Sequence, residues 1–150
     1  MADIIAVRDL RKHFGEVVRT EVLRGISVSF ERGATTAVIG PSGSGKTTLL
    51  NILSLLESPS SGELAVDGRD FSTGDINATS AYRNAHIGFI FQFHYLLPEF
   101  TALENILIPH WIGQGRPPQA MVEKALALMR EIEIFSIRHK YPNRISGGEQ

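Results

Sequence analysis

The sequence predicts an α/β fold, a core sheet followed by a helical subdomain, and three observations carry that reading. A short apolar run, Ala34 to Ile39, enters a glycine-rich loop that opens onto a helical pattern. The other strand-like segments crowd into residues 1–94, and helical periods fill residues 95–150. Each part has its own punctuation by turn and capping residues.

Residues 4–14 and 26–31 read as strands, joined by a polar segment, Gly15 to Arg24, without a strong period. Ala34-Thr35-Thr36-Ala37-Val38-Ile39 reads as a buried strand, and Lys46 to Leu56 as a helix with apolar residues on nearly every side. Ser58-Pro59-Ser60-Ser61-Gly62 is a turn, after which Glu63 to Gly68 alternates like a short strand ending in an Asp-Gly turn. Ser72 to Asn84 is polar and reads as a loop with a short helix. Ile87 to Phe91 reads as a further buried strand with Gln92 at its end. Thr101-Ala102-Leu103-Glu104 is a capping box opening a helix, Gly113 to Pro118 is a break, and Gln119 to Ile134 follows as an amphipathic helix. Its predicted apolar face holds Met121, Ala125, Leu128, Met129 and Ile132.

Composition excludes several function classes. The 150 residues suffice for one domain with a real core. A net charge of −1 removes the basic excess that a nucleic-acid surface needs, so no nucleic-acid partner is expected. With no cysteine, there is no disulfide, thiol catalysis or thiolate zinc site. His13, His86, His94, His110 and His139 have no metal-ligand spacing. The N-terminus carries Asp3 where a secretion signal has bases, and no apolar stretch approaches the ~20 residues of a membrane span. The expectation is a soluble, cytoplasmic protein, or one attached to a membrane through a partner.

The chemistry is concentrated in Gly40-Pro41-Ser42-Gly43-Ser44-Gly45-Lys46-Thr47, a complete G-x-x-x-x-G-K-T loop. Its glycines let the backbone turn sharply and approach a polyanion with no Cβ in the way. The N–H groups from Gly43 to Thr47 then face phosphate oxygens at the positive end of the following helix. Lys46 reaches the β- and γ-phosphates, and the Thr47 hydroxyl is a ligand for Mg²⁺. The loop is read as a nucleotide-triphosphate site.

Other residues admit two readings. Gln92 is either a ligand-contacting group at a strand end or an ordinary polar terminus. Phe14 is either a core aromatic or a surface on which a nucleobase stacks. Ser146-Gly147-Gly148-Glu149 is a second capping box, but two glycines in a first helical turn cost stability unless something must approach closely.

A P-loop, a downstream strand ending in Gln, then a helical segment closing in Ser146-Gly147-Gly148-Glu149-Gln150 resembles the ATPase subunits of ABC transporters from residue 4 to residue 150. The resemblance implies a P-loop NTPase core that takes ATP and Mg²⁺ on Gly40, Pro41, Ser42, Gly43, Ser44, Gly45, Lys46, Thr47 and Thr48. Adenine would stack on Phe14, and Gln92 would stand beside Thr47 and Lys46 at the metal and the reacting phosphate. Ser146, Gly147 and Gly148 would bind the γ-phosphate held by the second subunit of a head-to-tail homodimer. Ile145 stands where Leu is usual, and Glu149 precedes Gln150. The stretch Gln92 to Phe100 is most similar to the ATPases of lipoprotein-releasing systems, and Thr101 to Asn105 is shared with macrolide exporters and a cell-division ATPase. Integral membrane subunits are the implied partners, and the cytoplasmic face of the inner membrane the implied location.

The resemblance also implies that the Walker-B aspartate, a catalytic glutamate and a switch histidine lie beyond Gln150. The chain is therefore expected to be an N-terminal portion cut before the Walker-B strand, inactive in hydrolysis and poorly soluble by itself. A non-catalytic nucleotide-binding module is the alternative of another class. A P-loop GTPase would carry N-K-x-D and D-x-x-G, and neither string occurs.

Overall fold

The computed structural model describes residues 3–15, 17–72, 75–91 and 93–148. The chain divides into two compact units, Met1–Ile87 and Gly88–Gln150.

In the first unit, β1 (Asp3–Phe14) and β2 (Thr20–Glu31) form an antiparallel hairpin. The strand β3 (Ser61–Val66) pairs with the other side of β1, and β4 (Arg69–Asp70) closes the sheet in the order β2-β1-β3-β4. Asp67 and Gly68 both take positive φ between β3 and β4, the two-residue turn whose twist suits a hairpin.

A bulge at Asp9 sets the faces of β1. The register jumps from Val7 to Leu10 against β2 and from Arg8 to Arg11 against β3, and Asp9 has φ 46. The extra residue shifts the side-chain alternation, so that Val7 and Leu10, three apart, are both buried. Glycines make room for it on both neighbouring strands: a Cβ on Gly25 would lie 2.5 Å from Asp9 Oδ1, and one on Gly62 would lie 2.4 Å from the Asp9 carbonyl oxygen. The Asp9 N–H donates to Ser27 Oγ at 2.9 Å, and Arg11 donates to both Asp9 carboxylate oxygens at 2.9 and 3.3 Å.

Under this sheet lies α1 (Lys46–Leu53), whose Leu49, Ile52 and Leu53 join Val7, Leu10, Leu23, Leu64 and Val66 in one core. Burying each such side chain stabilises by about 1.5–3 kcal/mol. The helix α2 (Ile76–His86) starts at Asp75, which accepts from the N–H groups of Asn77 and Ala78, and it seats Tyr82 on Phe71 with ring centroids 5.0 Å apart.

Four expectations change here. The strand β2 begins at Thr20, inside the segment read as polar connector, because Glu21 and Arg24 hid the inward-facing Leu23. The helix α1 ends at Leu53, three residues early: Leu55 takes φ 61, and Leu56 and Glu57 both donate to the Asn51 carbonyl. Neither Ala34–Ile39 nor Ile87–Phe91 is a ladder-paired strand, and Ile39 is 89% exposed. An apolar run records that a segment can be buried, whereas a strand also needs a partner for its N–H and C=O groups, and none of the described strands pairs with either run.

In the second unit, α3 (Ala102–Gln114) and α4 (Gln119–Glu131) are followed by single 3₁₀ turns at Phe135–Ile137 and Pro142–Arg144. Ala102, Met129 and Ile137 form its core, with Leu103, Ile134, Phe135 and Ile145 packed around them. Arg130 and Arg138 each place a guanidinium 4.2 Å from the Phe135 ring. The buried line of α4 runs through Ala125 and Met129. The fourth change is that Leu128 and Ile132, assigned to the buried face, are 47% and 62% exposed. No described helix is long and apolar enough to cross a membrane.

The capping box of α3 is complete. Thr101 donates its N–H and hydroxyl to Glu104 Oε2 at 2.8 and 2.7 Å, and Thr101 Oγ1 accepts the Glu104 N–H at 3.3 Å. The Thr101 hydroxyl, its N–H and nearby His139 hold the Glu104 carboxyl below its ordinary value of 4.5. A depressed folded-state value contributes stability that is present above the unfolded value and lost as pH falls through the folded one. Denaturation of the full-length protein is therefore expected to show less acid sensitivity in Glu104→Gln than in wild type as pH falls through and below the ordinary glutamate range. Parallel pH profiles would refute the contribution.

Candidate functional site

The site is built where α1 begins. Gly45 is the N-cap, at φ 88 and ψ 8, with no side-chain cap on the N–H groups behind it. Those donors are left available at the positive end of the helix. Glycine is demanded twice at this residue. The φ is left-handed, and a Cβ would lie 3.0 Å from Leu23 Cδ2 and 3.1 Å from the Val22 carbonyl oxygen. The hairpin strand β2 is thus the floor on which the loop rests.

The rest of the loop folds around Lys46. Gly40 and Gly43 also take positive φ, and the Ser44 N–H closes a turn onto the Pro41 carbonyl at 3.3 Å. The Lys46 ammonium reaches back over the loop to the carbonyls of Gly40 at 3.0 Å and Pro41 at 2.6 Å. A cleft of about 310 Å³ is lined by Ser42, Gly43, Gly45, Lys46, Thr47 and Thr48, with Val22 from β2 as its wall. It has one ammonium and no carboxylate in its lining, a donor set that suits a phosphate chain. Thr47 is exposed and offers a single hydroxyl, which fits a hard cation whose other ligands are phosphate oxygens and water.

The other sequence-predicted residues fall elsewhere. Phe14 ends β1, 44% exposed, with Lys12 Nζ 5.0 Å from its ring centroid. Ser146, Gly147 and Gly148 are exposed, in the second unit, with the two glycines in a turn. Gln92 and Glu149 lie outside the described residues. Among the described residues no cluster of His, Asp and Glu could hold a metal by itself.

Two residues have structural roles that the sequence reading did not assign. Val22 was hidden in the polar connector. Asn105 sits in α3 and fixes the loop before it: Oδ1 accepts the Leu97 N–H at 2.9 Å, and Nδ2 donates to the carbonyls of Leu97, Phe100 and Thr101 at 3.0–3.1 Å. Its signal was an amide one turn into a helix opened by a capping box. Asn105→Ala is expected to cost about 1–3 kcal/mol and to speed amide exchange at Leu97 well beyond that of the α3 interior. Unchanged exchange at Leu97 would remove this role. Beside that loop an aromatic run packs on itself, with Phe89 stacked on Phe91 at 5.3 Å and Tyr95 edge-on to Phe91 at 5.2 Å.

A glycine loop folded over its own lysine at the start of a helix under a sheet defines the P-loop nucleotide-binding class. A profile of the ABC transporter family matches residues 23–150. The chain is 41% identical to the lipoprotein-releasing system ATP-binding protein LolD 1 of Rhodopseudomonas palustris, with 100% of this chain and 67% of that protein covered. It is 43% identical to the LolD protein of Cytophaga hutchinsonii, with the same coverage, and 42% identical to that of Bacteroides fragilis, with 98% and 66% covered. Among solved structures, a dimeric post-hydrolysis state of the ATP-binding cassette MJ0796 bound to ADP and Pi superposes with a TM-score of 0.86 at 30% identity, covering 97% of this chain and 64% of that one. A second dimeric structure of MJ0796 gives 0.85 at 28% identity, with 97% and 64% covered. The chain belongs to the ABC transporter family of ATP-binding proteins. It spans about two thirds of the length of the relatives it matches.

Proposed function

We propose that this chain binds Mg·ATP on Gly40 to Thr48, and that the protein it represents is the ATP-binding subunit of an ABC transporter that releases lipoproteins from the inner membrane. One observation supports the binding step above the others. The left-handed Gly45 leaves the N-terminus of α1 without a side-chain cap, in a cleft that holds the Lys46 ammonium and no carboxylate. Within this reading, Lys46 takes the β- and γ-phosphates and Thr47 the metal, Gln92 orients the metal and the attacking water, and Phe14 stacks on adenine. A second copy of the chain brings Ser146, Gly147 and Gly148 to the γ-phosphate. Residues 1–94 then serve as nucleotide core and residues 95–150 as helical subdomain.

The lipoprotein step is supported by the names of the relatives, and membrane attachment at the cytoplasmic face would pass through integral partner subunits. The loop that Asn105 holds, with half-exposed Leu97 at its start, is the proposed contact with those subunits. Phe100 is a weaker candidate for direct contact, because its ring packs edge-on against Trp111 at 5.9 Å. The full-length protein, reconstituted in vesicles with integral membrane subunits of a lipoprotein-releasing system, is expected to release a lipoprotein in an ATP-dependent manner. Leu97→Asp should lower co-purification with those subunits while leaving ATP binding intact. ATP-driven export of a macrolide without lipoprotein release would transfer the protein to the exporter branch.

A further inference from the structure

The first unit contains a tether that the nucleotide loop itself does not require. Lys12 lies in β1 opposite Leu23 of β2, on the core side of the sheet, and its side chain is only 14% exposed. An ammonium at that depth needs partners, and Lys12 has three. It is 3.0 Å from Glu57 Oε1, donates to the Ser58 carbonyl at 2.8 Å, and stands 5.0 Å from the Phe14 ring centroid. The Glu57 carboxylate is itself only 24% exposed, and both partners are more enclosed than those of the other ion pairs among the described residues.

The far end of the tether leads back to the nucleotide loop. The Glu57 N–H donates to the Asn51 carbonyl at 3.1 Å, so Glu57 is anchored to α1, the helix whose first residues are Lys46 and Thr47. Lys12 therefore connects the C-terminal end of that helix to the aromatic at the end of β1. Side chains two apart on a strand share a face, which places Lys12 against Phe14 by the geometry of β1. A cation near an aromatic ring also restricts where the ring can go.

We propose that Lys12 is a positioning residue for nucleotide binding: through Glu57, Ser58 and the Phe14 ring it fixes the nucleobase platform in register with the phosphate-binding helix. The inference rests on the reading of Phe14 as that platform. Lys12 would touch no part of the nucleotide, and its effect would be confined to ligands that carry a base.

The test uses the full-length protein and two ligands, Mg·ATP and inorganic tripolyphosphate with Mg²⁺. Lys12→Met is expected to weaken ATP about three- to tenfold while leaving tripolyphosphate within about twofold. In a Phe14→Ala background the same substitution should add nothing, as a pair acting as one unit requires. Glu57→Gln, which keeps the shape and removes the anchoring charge, should weaken ATP in the same direction by a smaller factor and serves if Lys12→Met does not fold. Equal losses for ATP and tripolyphosphate would show that the tether acts through the phosphate loop or the fold, and would overturn the proposal. So would an unchanged ATP affinity in both Lys12→Met and Glu57→Gln while Phe14→Ala weakens it, a result that leaves the platform reading standing. If Phe14→Ala itself changes nothing, the platform reading falls and this inference falls with it.

Discussion

Lys46→Ala in the full-length protein is expected to raise the dissociation constant for Mg·ATP about 10- to 100-fold, with little change in thermal stability. The size follows from the chemistry: hydrogen bonds to a charged group contribute about 1.5–3 kcal/mol, and about 1.4 kcal/mol is a factor of ten in affinity. The ammonium donates to the carbonyls of Gly40 and Pro41, exposed groups that water can satisfy once it is removed, so the fold loses little. The same reasoning predicts a comparable loss for tripolyphosphate, because the lost contacts are to phosphates. Isothermal titration of both ligands gives the answer, and an unchanged dissociation constant would remove Lys46 from the site.

Gly62→Ala is expected to destabilise the fold by about 2–4 kcal/mol, a larger loss than that from Asn105→Ala. Gly62 sits at φ +98, where an L side chain is strained, at a cost of about 1–3 kcal/mol. The new Cβ would also lie 2.4 Å from the Asp9 carbonyl oxygen and 2.7 Å from Leu10 Cα. Both contacts are backbone, so relief requires β1 and β3 to separate at the bulge and loosen the buried Leu10. Urea denaturation of the full-length protein measures the effect as a shift in midpoint. An unchanged midpoint would mean that the bulge is not held as tightly as the geometry requires.

The parts of the fold legible in the sequence were those with local causes. The loop-to-helix transition at Gly45 and Lys46 follows from glycine conformation and a helix start. The capping box at Thr101 and Glu104 and the Asp67-Gly68 turn are each complete within a few residues. What escaped notice depends on distant neighbours. Ala34 to Ile39 carries the apolarity of a strand, but pairing is a property of two segments. Val22 lines the phosphate cleft because β2 folds back beneath Gly45, which no spacing within residues 15–24 announces. The exposure of Leu128 and Ile132 likewise follows from which side of α4 meets Ile137, since a helical period fixes an apolar stripe only to within about a quarter turn.

The bulge also bears on the order in which the chain assembles. The β1–β2 hairpin joins residues close in sequence, so its loop closes at small entropic cost and it can form while later residues are still being made. Pairing of β1 with β3 spans 50 to 61 residues, 57 for Val7 with Leu64, and must wait until α1 and its loop have been synthesised. Gly62 therefore arrives last, at a β1 edge already kinked by Asp9 and braced by Arg11 and Ser27. In kinetic terms the bulge is a lock prepared by the hairpin and closed by β3. Damage at Gly62 would appear mainly as faster unfolding, while formation of the hairpin keeps its pace.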